Sequence, residues 1–152
     1  MKINLLLLSM LVIGCTSDKR LIKLDSEIWN SEYSKQDFKD NVLCNCLVMG
    51  FGDKNVTQQF KEEDRSFYSP IHIVFFDSVS KVILRPVVLK IKRDSVESLT
   101  RVSEAAAGKR VFYECLAFYK SRKLDSISDS EIKKWEKIKN IDSIINIRMP
   151  AF

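Results

Sequence analysis

Glycine and proline are scarce in this chain, four and three among 152 residues, and no Asn-Gly or Asp-Gly pair stands between apolar runs. Without such turns, a protein of β-hairpins has little to build on. Histidine is rarer still: His72 is alone. That removes the usual partner imidazole of a serine or cysteine nucleophile and the paired histidines of many zinc sites. No internal repeat and no low-complexity run occurs, so a solenoid is excluded. Charge is not of one sign either, with 25 basic against 20 acidic residues for a net +5. An excess that small, scattered along the chain, is no nucleic-acid footprint, though it fits an anionic surface or an acidic partner.

What remains is one domain's length of chain rich in helical apolar spacing. The N-terminus stands apart. Met1–Cys15, MKINLLLLSMLVIGC, has Lys2 followed by an apolar run from Leu5 to Ile13. The run is shorter than the ~20 residues a bilayer needs, and its flanks suit an export signal. It ends in Val12-Ile13-Gly14-Cys15, which resembles the lipobox of bacterial lipoproteins. On that reading residues 1–14 are a lipoprotein signal peptide and Cys15 becomes the acylated first residue. Residues 15–30 are then a tether, and lipid rather than a helix holds the chain at the envelope membrane, facing the periplasm. Leu21, Ile22, Leu24, Ile28 and Trp29 are apolar enough that part of the tether is expected to pack on the body.

The stretch Tyr33–Gly52, YSKQDFKDNVLCNCLVMGFG, reads as the central helix. Ser34 with Asp37 makes a cap, Tyr33 with Phe38 a staple, and Gly50 and Gly52 offer left-handed ends. Phe38, Val42, Cys46 and Met49 form an apolar stripe that Leu43 and Leu47 widen. Asn55 with Gln58 opens a short polar helix to about Arg65. Ser69-Pro70, with Tyr68 and Ile73 as a staple, starts a helix expected to stop or kink before Pro86. A second piece spans Val87–Lys92, and Asp94 with Glu97 caps a third that runs to about Ala107. Gly108–Lys123 is the second strong helix, with Val111, Phe112, Cys115, Leu116 and Tyr119 as its buried stripe. Ser128 and Glu131 cap a last helix burying Ile132, Trp135 and Ile138; the spacing leaves 140–152 open. The economical fold is all-α, a small single-domain helical bundle over residues 31–152.

Little of this supports an enzyme. His72 lies in the first turn of a predicted helix among Ile71, Ile73 and Val74, the place of a packed residue. Glu62-Glu63-Asp64 belongs to a run of solvated charge. With Cys15 acylated, three of the four cysteines remain: Cys44, Cys46 and Cys115. Residues two apart on a helix point about 200° apart, so Cys44 and Cys46 cannot share a face. Zinc lacks a fourth ligand. A Cu(I) site or a redox pair on Cys44-Asn45-Cys46 would require the helix to break. The sequence therefore points to no metal and no cofactor. Cys46 and Cys115 each lie mid-stripe on the two most apolar helices, so packing those stripes brings the sulfurs together as a disulfide linking two core helices. Cys44 is left as the odd thiol.

Phe38-Lys39-Asp40-Asn41-Val42-Leu43, followed after two residues by Cys46-Leu47, resembles the first core helix of the type VI secretion amidase immunity proteins. Phe112-Tyr113-Glu114-Cys115-Leu116-Ala117-Phe118-Tyr119, with Ser121 and Leu124-Asp125, resembles their later Cys-Leu, Tyr, Ser, Leu-Asp helix. The two motifs agree with that family in order and separation. The resemblance implies a small exported all-α protein, often a homodimer, with Cys46 and Cys115 as its disulfide pair. Its implied partner is a secreted peptidoglycan amidase, a cysteine peptidase of the NlpC type, whose active-site cleft it blocks. The chain differs from the family in Cys44 and in the lipobox. The expected contact is the polar segment 53–66, with Glu62, Glu63, Asp64 and Arg65 as candidates. The competing reading is a non-catalytic envelope lipoprotein with a structural or lipid-binding role.

Overall fold

The computed structural model describes residues 31–64, 69–103 and 106–150; the expected signal peptide, the tether with Cys15, Arg65 and Tyr68 lie outside them. Six α-helices follow one another, and no strand occurs among the described residues: α1 Ser31–Phe51, α2 Lys54–Glu63, α3 Asp77–Ser98, α4 Val111–Tyr119, α5 Arg122–Trp135 and α6 Ile141–Arg148. A π-helical turn, His72–Phe76, leads directly into α3.

Helix α1 is the axle of the bundle, packing against α3, α4, α5 and the π turn. Its stripe reads as spaced: Phe38, Val42 and Cys46 are buried, and Leu43, Leu47 and Met49 pack half-buried beside them. Its N-terminus differs from the expected cap. The helix already runs at Ser31, and Ser34 is buried inside it. Asp37 has a different use, since its carboxylate meets His72 Nε2 at 2.9 Å. At the other end Gly52 takes the left-handed conformation (φ 64°) and its N–H bonds to the Val48 carbonyl. Gly50 does not terminate the helix; it is buried where α4 approaches.

Three boundaries depart from the sequence pattern, each for a local reason. Pro86 neither stops nor splits its helix: α3 continues through it as one helix of 22 residues. Pro86 and Val82, whose carbonyl loses its donor, both face solvent, so the missing bond falls on the wet side of the helix, where it is tolerated best. Asp94 consequently caps nothing and instead accepts from Lys90 at 2.8 Å within α3. The helix expected to reach Ala107 ends at Ser98, whose Oγ accepts the Gly108 N–H at 3.0 Å and ties the following loop back. The expected 108–123 helix is divided at Ser121. Ser121 has extended backbone, and its Oγ accepts the Leu124 N–H at 3.2 Å as the cap of α5. Ser128, expected as a cap, is buried mid-helix and donates to the Leu124 carbonyl at 2.7 Å. Likewise Asp53, not Asn55, caps α2, accepting from the N–H groups of Asn55 and Val56. Helix α6 occupies the stretch that spacing left open, entered through Asn140 at φ 64° and left at Met149, before Pro150.

The core is aromatic where α1, the π turn and α5 meet. The Phe38 ring stands edge-on to both Phe76 (5.3 Å) and Trp135 (5.2 Å), and those two stack at 4.8 Å. His72, Phe76, Ser80, Leu84 and Val88 follow at four-residue steps and are all buried. Four residues overshoot one α turn by about 40°; the extra residue of the π turn offsets part of that drift and keeps His72 on the core side.

Candidate functional site

The rigid element is the junction of α1 and α4. The helices run antiparallel: Gly50 lies beside Val111, Cys46 beside Cys115, and Asp40 beside Tyr119. The Cys46 and Cys115 sulfurs are at bonding distance, 2.06 Å, with Cα atoms 5.7 Å apart. Both are buried, as the two apolar stripes require. At the far end the Tyr119 hydroxyl donates to Asp40 (3.0 Å), and the Gln36 amide donates to both oxygens at 2.7 Å. Lys35 and Lys39 tie α1 to α5 through Asp129 and Asp125, each at 2.7 Å. The hydrogen bond from Lys39, with the Lys39 and Lys35 charges, holds the Asp125 carboxyl below the ordinary carboxylate range.

Inside, α1 and α3 share a polar network. The Asn41 and Asn45 amides donate to Asp77 at 3.3 and 3.2 Å, and the Ser80 hydroxyl donates to Asn41 at 2.9 Å. Its bonds between the two helices join residues 32 to 39 apart, and none of them stands out by local spacing. Satisfied networks of this kind fix which packing a core adopts. His72 is similarly internal: Nε2 meets Asp37, the ring stacks on Phe76 at 5.2 Å, and Nδ1 is buried without a hydrogen-bond partner. Cys44 is half-buried, and burial first, then the Asp64 and Asp40 charges, push its thiol above the ordinary value of 9.0. A thiol so shifted is a poor nucleophile and a poor metal ligand at neutral pH. Among the described residues no three His, Cys, Asp or Glu side chains cluster as a metal site. No helix among them is long and apolar enough to cross a membrane.

Among the described candidate contact residues, Glu62 and Glu63 end α2 and Asp64 caps it, but they do not form one patch. Glu63 and Asp64 line a hollow of about 420 Å³ with Val56, Gln59 and Phe60. Glu62, held by the Gln58 amide at 2.7 Å, faces another hollow shared with Val48, Met49 and Lys54. Arg65 lies outside the described residues. All three carboxylates stand at the negative end of the α2 dipole, where charge of that sign is disfavoured.

The largest departure from the sequence reading is the outer side of α4. Phe112 and Leu116, expected in the buried stripe, are 61% and 37% exposed, and Tyr113 beside them is 67% exposed. Only Val111 and Cys115 of α4 are buried. An apolar residue at stripe spacing carries no mark of how wide the stripe is, so only its excess of aromatics could have singled out this face. No family model, curated protein or solved structure matches the chain.

Proposed function

We propose that this protein is an immunity protein: a non-catalytic inhibitor that occludes the active site of a type VI-secreted peptidoglycan amidase in the cell envelope. The observation that carries the reading is the bonded Cys46–Cys115 pair, because it joins the two helices that bear the family-like motifs. A cell-wall amidase delivered across the envelope acts in the periplasm. An inhibitor anchored there through Cys15 shares that compartment with it. Occlusion requires a scaffold that loses little freedom on binding, and a bundle whose axle is cross-linked to a second core helix supplies one. The single imidazole is engaged with Asp37 inside the core, which also favours a binder. Glu62, Glu63, Asp64 and Arg65 are the proposed contacts.

The test is to mix the mature chain with a type VI-secreted peptidoglycan amidase and follow digestion of purified cell wall. Digestion should stop near equimolar inhibitor; digestion unaffected by excess inhibitor rejects the reading. Glu63→Lys combined with Arg65→Glu should weaken binding in titration calorimetry. Unchanged affinity removes the α2 segment from the contact.

A further inference from the structure

A helix on the surface of a small bundle ordinarily turns polar side chains to water. Helix α4 turns out Phe112, Tyr113, Leu116 and Ala117. Beside the two aromatic rings a hollow of about 380 Å³ extends to Phe51 at the end of α1. Single exposed apolar residues are ordinary on any protein. Two aromatics and a leucine in one strip, next to a hollow, are the composition of an interface anchor.

Charge indicates what fits there. From Lys109 to Lys123 the chain carries five cations and one carboxylate, a net +4, while the whole chain carries only +5. The carboxylate, Glu114, is turned inward onto Lys90 of α3. Lys109 donates to the Phe51 carbonyl. Arg110, Lys120, Arg122 and Lys123 are exposed and form no ion pair with another described residue. The strip is thus bracketed by cations, Lys109 and Arg110 at one end and Lys120, Arg122 and Lys123 at the other. The first pair even stands at the positive end of the α4 dipole, where the helix itself disfavours it.

We propose that the outer face of α4 is a docking surface for an acidic patch on a protein partner, with Phe112 and Tyr113 as anchors and the flanking cations as its electrostatic rim. The assignment rests on the functional reading above, in which that partner is the amidase. A second copy of the chain suits the face poorly. Antiparallel pairing sets Lys109 and Arg110 against the cations at the other end of the strip, and parallel pairing sets each cluster against itself; like charges across an interface oppose association. A bilayer surface is flat and deformable and makes no use of a hollow.

The experiment compares the full mature protein with two variants, Phe112→Ala/Tyr113→Ala and Arg110→Glu/Lys123→Glu, in amidase inhibition, binding and thermal melting. The aromatic variant should bind the amidase on the order of 30-fold more weakly while melting with the wild type. The charge variant should associate more slowly, with a flatter salt dependence. Wild-type inhibition retained in full by the aromatic variant overturns the docking surface and leaves the inhibitor reading intact. A wild type that does not inhibit overturns both. A fall in melting temperature of several degrees in the aromatic variant would mean that the chain itself covers the face, which also overturns the proposal. So would wild-type self-association that the aromatic variant loses, or binding to phosphatidylglycerol vesicles that it loses.

Discussion

Replacing Gly50 by alanine tests how closely α1 and α4 approach. A Cβ at Gly50 would stand 2.6 Å from Val111 Cγ1 and 3.4 Å from Ile91 Cδ1. Real side chains do not sit at the first distance, so α4 would have to move or Val111 leave its rotamer. Overpacking of that kind costs roughly 1–3 kcal/mol. Against it stands the better helix propensity of alanine, about 1 kcal/mol in a helix interior and less at the next-to-last residue of α1. The net expectation is a loss of about 1 kcal/mol. Val111→Ala alone opens a cavity and should cost on the order of 2 kcal/mol. In the double variant the new methyl enters the space that the valine vacates. The combined loss should therefore fall short of the sum by about 1 kcal/mol or more. Equilibrium urea unfolding of the wild type, both single variants and the double variant, with the disulfide intact, measures that coupling. Losses that add within about 0.5 kcal/mol, or a Gly50→Ala variant more stable than wild type, would show that the helices do not meet here.

Replacing Cys46 and Cys115 together by alanine should lower unfolding free energy by roughly 4 kcal/mol, the chain-entropy value for cysteines 69 residues apart; a loss under about 1 kcal/mol contradicts it. Cys44 should alkylate more slowly than a free small-molecule thiol at neutral pH, and its rate should still be climbing with pH beyond 9.0, because burial raises its pKa from that ordinary value. Rapid labelling at neutral pH refutes this. The depressed carboxyl of Asp125 adds stability that is present above its ordinary value of 3.8 and lost as pH falls through its lower folded value. Asp125→Asn should accordingly melt below wild type at neutral pH and converge with it in strong acid; a gap independent of pH contradicts the sign.

The class of fold was legible because local spacing reports it. Phe38, Val42 and Cys46 at four-residue steps and the turn-poor composition identify a helical bundle around α1. The pairing of Cys46 with Cys115 was legible for the same reason, each sulfur lying mid-stripe. Helix boundaries were harder, because several residues qualify for the same terminal role and tertiary contacts choose among them. Asp37 could cap Ser34 or meet His72, and the core assigns it to His72. Ser121 and Ser128 both precede helical spacing, and only Ser121 has extended backbone. Pro86 read as a break because the pattern around it does not reveal that its side of α3 faces water. The exposed face of α4 was misplaced because apolar spacing marks a stripe without marking which of its residues another element covers, and only Val111 and Cys115 are buried. Glu62 and Glu63, neighbours in sequence, face different hollows because adjacent helical residues point about 100° apart.

Two core helices, α1 and α4, are fastened into one stiff scaffold by a bond between positions 46 and 115. Proteolytic mapping of the unreduced, alkylated mature protein by mass spectrometry tests it most directly. It should yield one linked pair of peptides holding Cys46 and Cys115, with Cys44 carrying a single label. A link from Cys44 to either neighbour, or labels on all three, would contradict it.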